Sequence, residues 1–392
     1  MSGKLIFRQN PPCVFRIGRI ELVPFIMKVP FLSLSVTNDS LRAEISQAIN
    51  NVLDRGVYIL GSEVDKFELE FSKFVGTTFC VGVGNGFDAL HLSLRAIGLG
   101  PGDEVLVPSN TYIATWLAIS ACGAKPVPVE PNPNTFNIDP ERIEERITSR
   151  TAAIVPVHLY GNPALMPTIV EIARRHHLAI VEDCAQAHGA TIGGNSVGSF
   201  GETGAWSFFP SKNLGGFGDG GAITTNDFEI ATKVRLLRNY GSRLKYYNEI
   251  LGFNSRLDEI QAAILNCKLN YLEEDNYKRR VNADIYKYLL HQSNLELPSS
   301  IDGNLHVWHQ FVVKSKDRER LIEYLGIRGV ETIIHYPLPP YLQEAYITEY
   351  GGKYDLPISD CLHKEVLSLP IGPHLTTDQL NYVAEVINDF EE

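Results

Sequence analysis

The sequence predicts an α/β protein with a large domain built on a mostly parallel sheet and a smaller C-terminal α+β domain. From residue 77 to about residue 225, short apolar runs alternate with amphipathic stretches such as DALHLSLRAIG. This alternation is typical of parallel strands that are covered by helices on both faces. From about Leu295 the pattern becomes α+β, and the length of 392 residues exceeds that of a typical single domain.

The elements can be followed along the chain. The predicted strands of the large domain are FCVGVG, EVLVPS, KPVPVE, AAIVPVHLYG and LAIVEDCAQ, followed by AWSFF and GAITTN on either side of the loop PSKNLGGFGDG. A long helical stretch beginning at RLDEIQ has apolar residues at three- and four-residue spacing and leads into the second domain. The second domain is predicted to contain a strand HVWHQFVV, a helix around DRERLIEYLGIRG and a terminal helix TTDQLNYVAEVINDF.

The domain boundaries follow from these patterns. We predict a large domain over residues 27–275 and a small domain over residues 276–392. Residues 1–26 show no clear helical or strand period, so we expect either a disordered extension or a start codon assigned too early, with Met27 as the alternative start.

Composition excludes several classes of function. The formal net charge of −11 disfavours nucleic acid as a partner. The six cysteines are scattered without a CxxC pair or a Cys/His cluster, so we expect reduced thiols and no metal site. No apolar run approaches the ~20 residues of a membrane helix, and the opening segment lacks the apolar core of a signal peptide. We therefore expect a cytoplasmic protein with no membrane partner.

The segment Gly84–Ala89 reads as a strand-to-helix turn whose backbone N–H groups suit a phosphate. Taken as GxGxxA it resembles a dinucleotide fingerprint, which requires an acidic residue at the end of the next strand. Here that strand ends in Pro108, Ser109 and Asn110. A single phosphate fits better, and a tight turn without a ligand remains open.

A carboxylate pair ends the predicted strand LAIV. Ligands of open α/β sheets bind beyond the carboxyl ends of the strands, where Glu182 and Asp183 stand. A carboxylate at this position suits a helix cap, a metal ligand or the partner of a protonated ring nitrogen, and the pattern alone leaves all three open.

Lys212 is an isolated lysine among glycines and aromatic residues in the loop between two strands. Most lysines are solvated surface charges. Partial burial, however, lowers the pKa of a lysine and favours the neutral amine that forms a Schiff base.

The order of phosphate turn, strand-end aspartate and loop lysine resembles the sugar-nucleotide aminotransferases of the DegT/StrS group, which are fold-type I pyridoxal-phosphate enzymes. The resemblance runs from about Pro30 to the C-terminus. It is carried by an ordered series of segments: GNGFDAL, PSNTYIAT, PVHLYG, VEDCAQAHGA, WSFFPSKNLGGFGDGGAI, RNYGSRLKYYN, GFNSRLDEIQAA and HYPLPPYLQ.

This resemblance implies a role for individual residues of the chain. It makes Lys212 the Schiff-base lysine and proton carrier, and Asp183 the partner of the pyridine nitrogen. Gln186 would hydrogen-bond the ring hydroxyl and Tyr112 would stack on the ring. The remaining implied cofactor contacts are with the phosphate: Gly86, Phe87 and Ser207 from the same subunit, and Asn254 from a neighbouring one in a homodimer with shared active sites.

The resemblance also implies the substrates. His335 and Tyr336 match positions that approach the sugar, and Lys245 matches one that meets the substrate diphosphate. The implied reaction moves an amino group from L-glutamate, through pyridoxamine phosphate, to a nucleotide-linked keto sugar. The motif GNGFDAL and the segment Ile371–His374 resemble relatives that aminate C3 of dTDP-3-keto-6-deoxyhexoses.

Three alternatives share this scaffold. A C4 aminotransferase would act on a 4-keto sugar nucleotide with the same cofactor residues. A regulatory relative would retain the fold without catalysis. A pyridoxamine-dependent dehydratase carries histidine in place of the lysine, so Lys212 argues against it.

Overall fold

A computed structural model describes residues 27–351 and 354–390. The predicted extension over residues 1–26 lies outside the described residues. The helices, in chain order, are α1 Leu34–Asp39, α2 Arg42–Arg55, α3 Ser62–Val75, α4 Gly86–Ala96, α5 Ile113–Ala121, α6 Met166–His176, α7 Phe228–Leu237, α8 Glu259–Leu269, α9 Leu272–Leu289, α10 Arg318–Ile327, α11 Glu344–Tyr350, α12 Pro357–Glu365 and α13 Thr377–Asn388.

The strands of the large domain form a mostly parallel sheet. They are β1 Phe79–Val83, β2 Glu104–Pro108, β3 Lys125–Val129, β4 Thr151–Ile154, β5 Ala179–Asp183, β6 Thr191–Ile192, β7 Asn195–Ser196, β8 Thr203–Ser207 and β9 Gly221–Thr225. Within the described part of the chain the main sheet has seven strands in the order β1-β9-β8-β5-β4-β2-β3. Strand β9 runs antiparallel to both of its neighbours, and the other pairings in this sheet are parallel.

The predicted α/β class is therefore confirmed, and the reason lies in the strand sequences. The main strands β2, β8 and β9 are buried along their whole length. A strand that is buried on both faces is a continuous apolar run, as expected when helices cover both sides of the sheet. Helices α4 and α5 pack against each other and cover part of this sheet.

The remaining strands lie outside the main sheet. They are β10 Ser242–Leu244, β11 Tyr247–Asn248, β12 Asn304–Leu305, β13 Phe311–Lys314 and β14 Val366–Leu369. Strands β10 and β11 form an antiparallel hairpin, and β13 pairs antiparallel with β14 in the C-terminal part. Helices α9, α10 and α13 surround this small sheet.

One strand is shorter than the sequence predicts. The run HVWHQFVV has the apolar pattern of a single strand, but strand geometry begins only at Phe311. Trp308 has a φ of 46°, which breaks the extended conformation. The side chains of His309 and Gln310, just before the strand, are instead buried near the loop that carries Lys212.

The hydrophobic core is divided into clusters that follow the two predicted domains. One cluster lies around β1, β2, β5 and helices α4, α5 and α7, and another around β13, β14, α9 and α13. The predicted boundary at residues 275 and 276 falls inside α9, and Val29 packs into the second cluster. The division into two domains stays a proposal, and these separate cores support it.

Candidate active site

The turn between β1 and α4 presents backbone N–H groups that have no partner among the described residues. Asn85 is the N-cap of α4, and its side-chain oxygen accepts the N–H of Asp88 at 2.8 Å. Gly86 and Phe87 occupy the first turn, where backbone N–H groups have no partner within the helix. The positive end of the helix dipole adds to their attraction for an anion. This turn therefore has the geometry of a phosphate site.

Gly86 is required here by the close approach of β8. A Cβ atom on Gly86 would lie 2.5 Å from the Cβ of Ser207 and 3.0 Å from its Oγ. The Ser207 hydroxyl thus lies beside the first turn of α4, although the two residues are far apart in sequence. The structure brings together Gly86 and Ser207, two of the residues that the family resemblance assigns to one phosphate.

We predict that Gly86→Ala weakens binding of pyridoxal phosphate by roughly tenfold or more, because overpacking at such a contact costs about 1–3 kcal/mol. Titration of the cofactor into the cofactor-free protein, followed by visible absorbance, measures this. Gly326→Ala is a matched control, because a Cβ atom added there would meet nothing within 4 Å. Equal cofactor affinity in both variants would contradict the prediction.

Lys212 lies in a loop that is closed at its base. The N–H of Phe208 donates to Gly220 O and the N–H of Gly216 donates to Phe208 O, both at 2.8 Å. Lys212 itself donates its backbone N–H to Phe209 O at 2.8 Å. Burial lowers the pKa of the Lys212 amine to about 8, while the charge of Asp183 acts in the opposite direction. A substantial fraction of this amine is therefore neutral near physiological pH.

Asp183 is buried at the end of β5, with 5% of its surface exposed. One carboxylate oxygen accepts the N–H of Ala185 at 3.1 Å, and the other accepts the hydroxyl of Thr115 at 2.9 Å. Burial raises the pKa of Asp183, whereas these hydrogen bonds and the charge of Lys212 lower it. A cationic group placed beside this carboxylate would stabilise its ionised form.

Glu182 points to the opposite face of β5, as alternation along a strand requires. Its carboxylate accepts the backbone N–H groups of Gly198, Phe200 and Gly201 at 2.8 to 2.9 Å and contacts His158 Nε2 at 3.1 Å. The strand-end pair is thus divided between two tasks: Glu182 holds a neighbouring loop and Asp183 faces the cleft.

A group of possible metal ligands lies behind this strand, formed by His158, Glu182 and Cys184. His158 Nδ1 accepts the N–H of Ala164 at 3.0 Å, which leaves Nε2 to donate to Glu182. Both nitrogens of the imidazole and both oxygens of the carboxylate are therefore engaged in hydrogen bonds. This arrangement is a buried polar network that supports β5.

The predicted ring contacts also converge on this cleft. Tyr112 is the N-cap residue of α5 and half of its surface is exposed. Its ring centroid lies 5.2 Å from that of Tyr336. Gln186 donates its amide to the Tyr336 hydroxyl at 2.9 Å and accepts the N–H of Tyr160 at 2.6 Å. The Gln186 side chain therefore links the loop of Tyr336 to the large domain.

A family comparison decides how this site is interpreted. A model of the DegT/DnrJ/EryC1/StrS aminotransferase family matches residues 39–388. The chain belongs to this family. The aminotransferase is thus a pyridoxal-phosphate enzyme with the fold-type I architecture, as the motif series predicted.

Individual relatives cover nearly the whole chain. The dTDP-3-amino-3,6-dideoxy-alpha-D-galactopyranose transaminase of Aneurinibacillus thermoaerophilus is 52% identical over 92% of this chain and 99% of that protein. The dTDP-3-amino-3,4,6-trideoxy-alpha-D-glucose transaminase of Streptomyces venezuelae is 49% identical, with 93% and 97% covered. A crystal structure of S. venezuelae DesV in complex with a ketimine intermediate matches at a TM-score of 0.91 and 49% identity, with 92% and 98% covered.

The residues of this aminotransferase fit the cofactor chemically. A buried carboxylate suits a protonated ring nitrogen, and a lysine with a lowered pKa suits an aldehyde. The first turn of α4 together with the Ser207 hydroxyl suits a phosphate. Lys212 lies close enough to Asp183 for each charge to shift the pKa of the other group.

Two predicted residues are not part of this cluster in a single chain. Asn254 is exposed and pairs through its backbone with Asn239. Lys245 lies in the turn between β10 and β11, where its amine is 5.2 Å from the Tyr246 ring centroid. Neither side chain forms a hydrogen bond with the cluster in the part of the chain that the structure describes.

His335 lies close enough to Lys212 to feel its charge. Its Nδ1 atom is 2.8 Å from the Ser368 hydroxyl. Burial and the nearby charge of Lys212 lower the pKa of His335 to about 4, so the imidazole is neutral at physiological pH. Tyr336 is held by Gln186, and burial raises the pKa of its hydroxyl above the ordinary value.

Sequence reasoning missed several residues that hold the site. The Thr115 hydroxyl donates to Asp183, and the Tyr160 hydroxyl donates to His335 O.

Helix α8 holds the loop that carries Lys212. Lys268 donates to Gly215 O at 2.6 Å, and Gln261 accepts the N–H of Phe217 at 2.7 Å. Gln261 and Lys268 are seven residues apart on α8, a spacing that places both on one helix face. The signal in the sequence was the pair of polar residues, Gln261 and Lys268, on a helix face that is otherwise apolar.

Within residues 27–351 and 354–390, the helices lack the combination of length and apolar character needed to cross a bilayer. The predicted cytoplasmic location stays a prediction.

Proposed function

We propose that this aminotransferase transfers an amino group from L-glutamate to C3 of a dTDP-linked 3-keto-6-deoxyhexose. The observation that carries the proposal is the 52% and 49% identity to two proteins named as dTDP-3-amino-deoxysugar transaminases, each over more than nine-tenths of this chain. The site supports it, because a buried aspartate lies close enough to a lysine of lowered pKa for each charge to shift the pKa of the other group.

The proposed roles of the residues follow from their positions. When bound, pyridoxal phosphate supplies the electron sink that labilises a C–H bond of the amino donor. We assign the attack on the cofactor aldehyde and the transfer of the proton to the Lys212 amine. Asp183 would keep the ring nitrogen protonated, since an anion in a buried site favours the cationic form of its partner.

The phosphate and the ring are held by neutral groups. The N–H groups of Gly86 and Phe87 and the Ser207 hydroxyl would donate hydrogen bonds to the phosphate. Tyr112 would cover one face of the ring, and Gln186 would donate its second amide hydrogen to the ring hydroxyl. His335 and Tyr336 face the sugar, and Lys245 pairs with the substrate diphosphate.

The pH dependence of cofactor capture tests the role of Lys212. With a pKa of about 8, its neutral fraction rises with pH up to that value and then levels off. We expect the rate at which added pyridoxal phosphate becomes lysine-bound to rise about tenfold per pH unit below 8 and to reach a plateau above it. Stopped-flow absorbance of the cofactor-free protein measures this rate. A profile that keeps rising towards the pKa of an ordinary lysine would contradict the assignment.

The proposed function includes a homodimer with shared active sites. Exposed apolar side chains lie on and beside the hairpin of β10 and β11, in the segment that precedes Asn254. They are Tyr240, Leu244, Tyr246, Tyr247 and Leu251. Several exposed apolar residues in one segment are typical of a protein–protein interface. A second copy docked here would place Asn254 of the partner subunit against the cofactor phosphate.

Complementation between variants tests this arrangement. Asn254→Ala is expected to weaken cofactor binding by roughly tenfold or more, because a hydrogen bond to a charged group contributes about 1.5–3 kcal/mol. A mixed dimer of the Asn254→Ala and Lys212→Ala chains would contain one complete site, so it should bind cofactor more tightly than the Asn254→Ala homodimer. Absence of any gain in a mixed dimer, with dimer mass verified by light scattering, would count against shared sites.

Two half-reactions test the overall proposal. L-glutamate should remove the visible band of the lysine-bound cofactor, and a dTDP-linked 3-keto-6-deoxyhexose should restore it. A 4-keto isomer serves as the second arm, and NMR of the product locates the new amine. Restoration by the 4-keto sugar alone would establish the C4 alternative, whereas no response to any amino donor would favour a regulatory role.

A further inference from the structure

We propose that a cavity beside the lysine loop binds a carboxylate group of the amino donor, with Arg279 and Gln310 as its recognition residues. The inference rests on the proposed function and extends it to the donor side of the site. The cavity has a volume of about 310 Å³. Its lining includes Phe31, Ser211, Arg279, His309, Gln310 and His335.

Arg279 is a buried cation without an ionic partner among the described residues. It extends from α9, and 5% of its surface is exposed. Its Nη1 atom donates to Trp308 O at 3.1 Å and to Ile371 O at 3.3 Å. The Nε and Nη2 groups have no hydrogen-bond partner among residues 27–351 and 354–390. The Arg279 fork therefore retains donors in the geometry that matches a carboxylate.

The charge of Arg279 is retained despite its burial. Desolvation lowers the pKa of its guanidinium to about 10, which leaves it protonated at physiological pH. Asp275 is the acidic group that offsets this effect, yet the two residues form no ion pair at contact distance. Because an unpaired buried charge is costly, an anionic ligand in the cavity would recover part of the desolvation free energy.

Gln310 supplies the second unsatisfied group. It is 9% exposed, and its Oε1 atom has no partner in the described structure. Its Nε2 atom lies 3.4 Å from His309 Nε2, and His309 Nδ1 lies 3.1 Å from Asn213 Oδ1. Rotation of the terminal amide exchanges its donor and acceptor, so Gln310 can present an N–H to a carboxylate. This series of contacts reaches Asn213, the neighbour of Lys212.

The cavity is close to the reacting lysine. Ser211, which precedes Lys212, forms part of its wall. His309 and His335 also line it, and the charge of Lys212 lowers the pKa of both imidazoles. Glu331 lies at the rim, where its exposed carboxylate accepts the N–H of Phe31 at 3.0 Å. A carboxylate in the cavity would thus hold an amino acid within reach of Lys212.

Gln310→Glu is the decisive variant, because it adds a negative charge to the cavity wall that includes Arg279, with almost no change in side-chain size. We expect the L-glutamate concentration for half-maximal donor reaction to rise at least roughly tenfold, equivalent to about 1.4 kcal/mol. The keto-sugar half-reaction should keep its wild-type concentration dependence. Gln379→Glu, at a half-buried capping residue of α13, adds the same charge elsewhere and is the matched control.

Two further measurements cover a misfolded variant and identify the bound group. Gln310→Met removes the amide and adds no charge. It should raise the L-glutamate concentration for half-maximal donor reaction by a smaller factor than Gln310→Glu does. Calorimetric titration of glutarate into the cofactor-free wild-type protein should detect binding that Gln310→Glu or Gln310→Met weakens. If L-alanine is affected as strongly as L-glutamate, the α-carboxylate occupies the cavity; if only L-glutamate is affected, its side-chain carboxylate does.

The results separate the two proposals. A wild-type enzyme that reacts with no amino donor would overturn the proposed function. A wild-type enzyme that reacts with L-glutamate, together with Gln310 variants whose donor dependence and glutarate binding are unchanged, would overturn the carboxylate site alone.

Discussion

Lys212→Ala is expected to abolish transamination, with both half-reactions falling by at least about 10⁴-fold, because the variant loses the nucleophile and the proton carrier together. The purified variant should lack the visible band of the lysine-bound cofactor. Single-turnover absorbance after addition of L-glutamate measures the remaining rate.

Two controls separate the amine from its charge. Lys212→Arg keeps a cation in the cleft but remains protonated, so it should be as inactive as the alanine variant. Lys316→Ala removes an exposed lysine from the second domain and should leave the rate unchanged. Measurable turnover by Lys212→Arg would show that the charge, rather than the amine, carries the reaction.

Asp183→Asn is expected to lower the rate of both half-reactions by about 10²–10³-fold, the size of effect seen when a preorganised electrostatic contact in a buried site is removed. Asparagine keeps the size and accepts the hydrogen bond from Thr115, but it does not carry the negative charge that keeps the ring nitrogen protonated. Stopped-flow measurement of the donor half-reaction gives the effect on rate.

The position of Asp183 away from the phosphate contacts predicts that Asp183→Asn affects the reaction rate more than the affinity for the cofactor. Since the phosphate contacts remain intact, cofactor affinity should fall much less than the rate. Asp302→Asn, an exposed carboxylate-to-amide change, provides the matched control. A rate for Asp183→Asn close to that of the control would exclude Asp183 as the ring partner.

The local pattern of the sequence is sufficient for much of the fold. The predicted runs FCVGVG, EVLVPS and LAIVEDCAQ correspond to β1, β2 and β5, and the stretch DALHLSLRAIG corresponds to α4. The spacing of apolar residues is a property of a short stretch of chain. A strand or helix can therefore be predicted without knowledge of the elements that pack against it. The prediction for HVWHQFVV is wrong in its first half, because Trp308 adopts a positive φ that no apolar period reveals.

The motif series is also sufficient for the family and its cofactor, because the order of GNGFDAL, VEDCAQAHGA and the lysine loop is specific as a set. The individual roles of Gly86, Asp183 and Lys212 stay proposals, which the geometry of one shared cleft supports. The assignment of Glu182 required the structure, since the sequence alone did not say which carboxylate of the pair faces the cleft.

The buried strands, the amphipathic helices and the ordered motifs that carry the chemistry therefore follow from the order of the amino acids alone. Packing of the whole chain decided which polar groups meet, as in the contact of Thr115 with Asp183 across 68 positions and of Gln186 with Tyr336 across 150. The physical reason is that burial is encoded in local hydrophobic period, whereas a hydrogen bond between distant residues depends on where every intervening element lies.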